Sequence, residues 1–204
     1  MNPGHRPMPA APRRRQRRWF VLALLIAAAL PLRGVLAAPE PEPPGGGERS
    51  VTAVTSVTLS RYIGSWYEIA RIPNRFQKQC VRHSIAQYSL RRDGRINVLN
   101  QCIKRKGSVD QATGIARVVD PNSHAKLKVS LVSFLGWRPF WGDYWVIGLD
   151  DNYRWAVVGT PDRRYGWVLS RTPTLDGATL ATIAEIVARN GYDWAQFVIG
   201  DTGR

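Results

Sequence analysis

Sulphur and imidazole are scarce in this chain, with two cysteines, two methionines and three histidines among 204 residues. His83 and His124 lie apart from any plausible nucleophile, and no Ser/His/Asp spacing, phosphate-cradling glycine loop or zinc signature occurs. The usual signatures of nucleophilic hydrolysis, nucleotide turnover and structural zinc are therefore missing. Acid is scarce too, 15 Asp and Glu against 29 Lys and Arg, for a formal net charge of +14. A membrane-spanning helix needs ~20 apolar residues, and the run from Trp19 to Leu32 falls well short.

What is present divides the chain. Arg13, Arg14, Arg15, Arg17 and Arg18 precede that apolar run, and Val35-Leu36-Ala37 offers the small residues of a cleavage site before Ala38. Residues 1–37 are expected to be a secretory signal peptide, with a retained anchor as the alternative. Arg17-Arg18-Trp19-Phe20-Val21 also fits a twin-arginine signal, one of two export routes that stay open. Pro39 to Gly47, PEPEPPGGG, is too poor in apolar residues to pack, and a flexible Pro/Gly-rich linker is expected over 38–56. Residues 1–37 hold seven Arg and no acid, so their removal lowers the net charge to about +7.

Cys80 and Cys102 are an even count in a chain read as exported, which favours a disulfide between them, worth ~3 kcal/mol in the chain-entropy model. A metal site drawing on Cys80, His83, Cys102 and His124 is the alternative, but only Cys80 and His83 have ligand-like spacing. No metal and no cofactor are expected.

From residue 57 onward the pattern is one of short strands and turns. Gly64 turns the backbone into a strand in which Trp66, Glu68 and Ala70 share one face, and Tyr67, Ile69 and Arg71 the other. The glycine is read as leaving room for the indole. Ser84 to Leu90 and Ile96 to Asn100 flank an Asp93-Gly94 turn, and Lys126 to Leu131 alternates cleanly with its lysines outward. Tyr144 to Leu149, Arg154 to Gly159 and Tyr165 to Arg171 are further strands. Leu180, Ile183, Ala184 and Val187 then recur at helical spacing. These elements predict an all-β fold over 57–200: an eight-stranded antiparallel up-and-down β-barrel with one C-terminal α-helix packed outside.

Gly64-Ser65-Trp66-Tyr67-Glu68 resembles the lipocalin G-x-W motif as found in bacterial outer-membrane lipocalins and apolipoprotein D. The resemblance continues through YSLRRDGRINVLN at Tyr88–Asn100, AKLKVS at Ala125–Ser130, YWVIGLDDNYRWAVVG at Tyr144–Gly159 and WVLSRTP at Trp167–Pro173. It implies that Trp66 closes one barrel end, that Arg171 packs across it, and that the motif Gly64, Trp66, Arg171 is structural. Many bacterial relatives carry a lipoprotein cysteine straight after the signal. None stands there in this chain, so that lipid anchor is not expected. The resemblance also adds a final edge strand within Trp194–Ile199.

Alternation outward from the firmest strands gives a candidate lining of Tyr88, Val98, Asn100, Val129, Leu131, Trp167 and Leu169, with Tyr144 and Val146 added as residues whose phase is less plain. The resemblance supports Tyr88, Asn100 and Trp167 in particular. Such a lining suits a fatty acid, lysophospholipid or similar lipid held in the cavity. The function expected is binding and transport or storage of that small hydrophobic ligand in the periplasm or cell envelope. An enzyme acting on a lipid or isoprenoid inside the same barrel is the alternative, with Glu68 either paired to a cation or a free carboxylate. Phe134, Trp137, Phe140 and Trp141 either cover the mouth, touching ligand or membrane, or pack as core under their own loop. Arg91, Arg92, Arg95, Lys104, Arg105 and Lys106 form a basic cluster, yet export and a disulfide argue against nucleic acid. The sequence leaves a homodimer open.

Overall fold

The computed structural model describes residues 50–200. The expected signal peptide, and the linker as far as residue 49, lie outside the described residues.

Eight strands form the barrel in chain order: β1 Gly64–Arg71, β2 Cys80–Leu90, β3 Ile96–Lys104, β4 Val109–Val118, β5 Lys126–Ser130, β6 Gly142–Leu149, β7 Trp155–Gly159 and β8 Gly166–Ser170. Each pairs antiparallel with the next. Strand β1 closes the cylinder by pairing with β2, Trp66 opposite Ala86, and with β8, Glu68 opposite Leu169. Closure removes the free edges that an open sheet of this length would present. Connections 91–95, 119–125 and 150–154 lie at one end, beside a helical turn α1 at Leu59–Tyr62 that leads into β1. Connections 72–79, 105–108, 131–141 and 160–165 lie at the other, the mouth.

Helix α2, Gly177–Arg189, begins at Asp176, whose carboxylate accepts from the Thr179 amide at 2.8 Å. Its buried Ile183 and Val187 lie on the outer barrel wall against Ile69, Ala70, Ile147, Val157 and Val168. A second apolar cluster lies inside, with Trp66, Val146, Ala156, Val158 and Leu169. Among the described residues no helix is long and apolar enough to cross a membrane.

Three local readings change. Strand β1 carries a bulge between Glu68 and Ala70. An extra residue shifts the alternation, so Ala70 joins Ile69 under α2 while Arg71 turns inward beside Glu68. Within Trp194–Ile199 only Val198–Ile199 is a strand, β9, paired with the end of β1, because Trp194–Gln196 is a 3-10 turn capped by Asp193. The packed chain also starts upstream of 57: Val51 is buried under α2, and the Val54 amide donates to the Val146 carbonyl at 2.8 Å.

Candidate ligand-binding site

The closed end is built from four local pieces. Trp66 is fully buried, and its indole N–H donates to the Tyr62 carbonyl at 2.8 Å. The Arg171 guanidinium, one residue beyond β8, lies 3.6 Å from the centre of the Trp66 ring system. Its two terminal nitrogens donate to the carbonyls of Ser65 (2.7 Å), Arg61 (2.8 Å), Ile63 (2.9 Å) and Tyr62 (3.2 Å). Those of Arg61, Tyr62 and Ile63 are carbonyls left over where α1 ends, and that of Ser65 belongs to β1, so a planar fork of donors seals the turn to the barrel. Gly64 sits at φ +100°, and a Cβ there would stand 3.2 Å from an Arg171 nitrogen. The glycine makes room for the guanidinium, not for the indole as the sequence suggested.

Above this floor the side chains of α1, β2 and β6 meet. The Tyr144 hydroxyl bonds to that of Tyr62 at 2.8 Å and to that of Tyr88 at 3.2 Å. The Tyr62 and Tyr88 rings stack at 6.0 Å. Enclosure of the hydroxyls pushes the Tyr88 phenol up to about 12 and raises those of Tyr62 and Tyr144 well above the usual phenol value, so all three stay protonated. Tyr62, Tyr88 and Tyr144 border a small chamber together with Leu59, Ile63, Ile96, Val98, Ala116, Leu127 and Val129. Its free space of about 20 Å³ holds about one water.

The structure thus brings Tyr88, Val98, Val129 and Tyr144 together around one chamber. Val146 and Leu169 lie beneath it, packed on Trp66 and Val158 as barrel filling. Asn100 continues the Val98 face toward the mouth, half-buried. Leu131 lies past the end of β5 and is 38% exposed. Ile96 and Leu127, two residues before Val98 and Val129, share their faces and were findable by the same alternation. Tyr62 was not, because its place depends on α1 docking across the barrel end.

Nearer the mouth the interior turns polar. One Glu68 carboxylate oxygen accepts from Arg71 at 2.7 Å, the other from the Gln77 amide at 2.6 Å. The Gln77 oxygen in turn accepts from Asn74 at 2.8 Å and from the Trp167 indole at 3.1 Å, and Trp167 stacks on Tyr165 at 6.0 Å. Glu68 is therefore a paired carboxylate, fixed by the bulge that turns Arg71 inward. Beside it Cys80 and Cys102 form a disulfide, with Cα atoms 5.5 Å apart, which takes up both thiols that a metal site would use. Phe134, Trp137 and Phe140 stand in solvent on the 131–141 connection. Trp141 is half-buried, with Arg117 4.5 Å over its ring.

A model of the lipocalin-like domain matches residues 57–201. The chain belongs to the lipocalin family. Its members bind small hydrophobic ligands, in keeping with a barrel whose closed end is plugged and whose chamber is bordered by aliphatic and tyrosine side chains. This lipocalin is 41% identical to outer membrane lipoprotein Blc of Escherichia coli (strain K12) over 175 residues, 85% of this chain and 93% of that protein. It is 33% identical to apolipoprotein D of Macaca fascicularis over 149 residues, 70% of this chain and 75% of that protein. Among solved structures, insecticyanin of the tobacco hornworm Manduca sexta superposes with a TM-score of 0.61 at 21% identity, covering 76% of the lipocalin and 85% of that chain.

Proposed function

We propose that this lipocalin binds a single-chain lipid, a fatty acid or lysophospholipid, in its barrel and carries or stores it unchanged in the cell envelope. The observation that carries the reading is the chamber bordered wholly by aliphatic and tyrosine side chains. Likeness to an outer membrane lipoprotein over most of both chains supports the envelope as its place. Each methylene buried contributes ~0.8 kcal/mol, so a long acyl tail needs no specific chemistry to bind tightly.

The enclosed space is far smaller than an acyl chain. A tail is therefore accommodated by displacing side chains that border the chamber, and Tyr88 is the one singled out for this, because the 3.2 Å bond of its hydroxyl is the longer of the two in the cluster. Carriage is favoured over catalysis because Glu68 has both oxygens engaged and the buried phenols stay neutral.

Native mass spectrometry of the purified protein, followed by organic extraction, tests this. Recovery of a stoichiometric, chemically unaltered lipid that a fluorescent fatty acid displaces is the result expected. An empty protein that ignores a panel of lipids, or one that returns a modified lipid, overturns it.

A further inference from the structure

The two ends of the barrel differ sharply in what they expose. At the mouth, Phe134, Trp137 and Phe140 are 68%, 67% and 70% exposed, and Leu135 is 93% exposed. They belong to one element. Phe134 and Trp137 exchange both backbone hydrogen bonds at 2.9 Å, closing a two-residue hairpin whose tip is Leu135-Gly136. Both tip residues have positive φ, +47° and +83°. That backbone is cheap for Asn or Gly and costly for leucine. The chain thus sets a large aliphatic side chain in a disfavoured conformation, at a point where it touches almost nothing of its own fold.

Charge follows the same polarity. The four mouth connections carry seven Lys and Arg, among them Arg75, Lys78, Arg105, Lys106 and Arg138, against the single acid Asp162. In the three closed-end connections Arg91, Arg92, Arg95 and Arg154 are matched by Asp93, Asp120, Asp150 and Asp151, and outside them that end adds Arg61 and Arg171, the latter bound to carbonyls of the α1–β1 junction. An apolar tip at the end of the barrel whose connections carry an excess of basic residues fits a surface that is oily within and anionic at its face.

We infer that the mouth docks on a bilayer containing anionic lipid, with Phe134, Leu135 and Trp137 inserted among the headgroups and the basic connections lying on the phosphates. Docked this way, the barrel opens straight onto the membrane.

Sedimentation with vesicles of phosphatidylcholine containing one-third phosphatidylglycerol, beside vesicles of phosphatidylcholine alone, tests the assignment at about 0.1 M salt. The protein is expected to bind the anionic vesicles and to leave them as salt rises. Leu135→Asn suits the positive φ, so it keeps the hairpin while removing the tip, and is expected to weaken partitioning about tenfold. Arg92→Gln/Arg95→Gln at the closed end serves as the charge control and is expected to bind as the unaltered protein does. Every variant carries the same N-terminal residues, so their basic stretch cancels in the comparison. Absence of binding to anionic vesicles, an unchanged Leu135→Asn, or an equal loss in the closed-end variant each overturns the docking assignment. Binding of a soluble fluorescent fatty acid, measured without vesicles, separates the two proposals. If it persists while docking fails, carriage stands alone; if it is absent while docking holds, carriage is the reading that falls.

Discussion

Replacing Arg171 with lysine keeps the charge and most of the side-chain length, and so isolates what the planar fork contributes. Arg171 makes four hydrogen bonds to carbonyls around the α1–β1 junction and stacks 3.6 Å from the Trp66 ring. An ammonium has three donors on a single atom and cannot serve carbonyls on both sides while lying flat on an indole. Two lost bonds at about 0.5–1.5 kcal/mol each, partly recovered by water, and about 1 kcal/mol of lost stacking give a destabilisation of about 2–3 kcal/mol. For a domain of this size that lowers Tm by about 5–10 °C. Thermal and urea unfolding followed by far-UV circular dichroism measure it. Arg171→Ala should cost more, because it uncovers the face of a fully buried tryptophan. A melting point within about a degree of the unaltered protein would refute the reasoning. So would unchanged melting with lost ligand affinity, since the contacts assign Arg171 to the fold and not to the ligand.

Asp150 accepts from the Arg154 guanidinium and from the amides of Asn152 and Arg154, which pulls its carboxyl down to about 2. A depressed folded-state value means stability that is complete above about pH 4 and disappears as pH falls through about 2. Asp150→Asn should therefore cost about 1–2 kcal/mol at neutral pH, held to that by the exposure of Arg154, and should flatten the acid limb of a Tm-versus-pH curve. Tyr144→Phe removes the shared partner of two enclosed hydroxyls and is expected to destabilise by about 1–3 kcal/mol in urea titrations; a neutral outcome would mean that water replaces it. Tyr88→Ala enlarges the chamber, so affinity for a long-chain fatty acid should rise several-fold by fluorescence titration even as Tm falls. A weaker affinity would show that the ring holds the ligand instead of blocking it. Reducing the Cys80–Cys102 bridge should cost ~3 kcal/mol in a denaturant titration run with and without reductant.

Much of the barrel was legible because several strands report their own faces locally. Alternation in Lys126–Val129, the Asp93-Gly94 corner and the helical spacing of Ile183 and Val187 depend on residues a few positions apart, and all reappear in place, whereas beyond Val129 the alternation ends, with Ser130 buried and Leu131 exposed. The Trp66–Arg171 closure was legible through the family motif alone, since the two residues lie far apart in the chain and no local pattern joins them. The reversal of Arg71 was invisible because a bulge is defined by the partner strand, here β8, and leaves the β1 sequence looking like ordinary alternation.

Sequence alone therefore determined the strand count, the closed end and the apolar character of the interior, all consequences of short-range periodicity and one long-range motif. Tertiary structure decided how much of that interior is free. Val146 and Leu169 share an inward face with true chamber residues, yet they are used up against Trp66, while Tyr62 enters from α1 to meet Tyr88 and Tyr144. Alternation fixes only the side of the sheet on which a side chain stands. Whether it meets empty space or another side chain depends on what the opposite wall and the docked α1 place there, and that is set only when the cylinder closes.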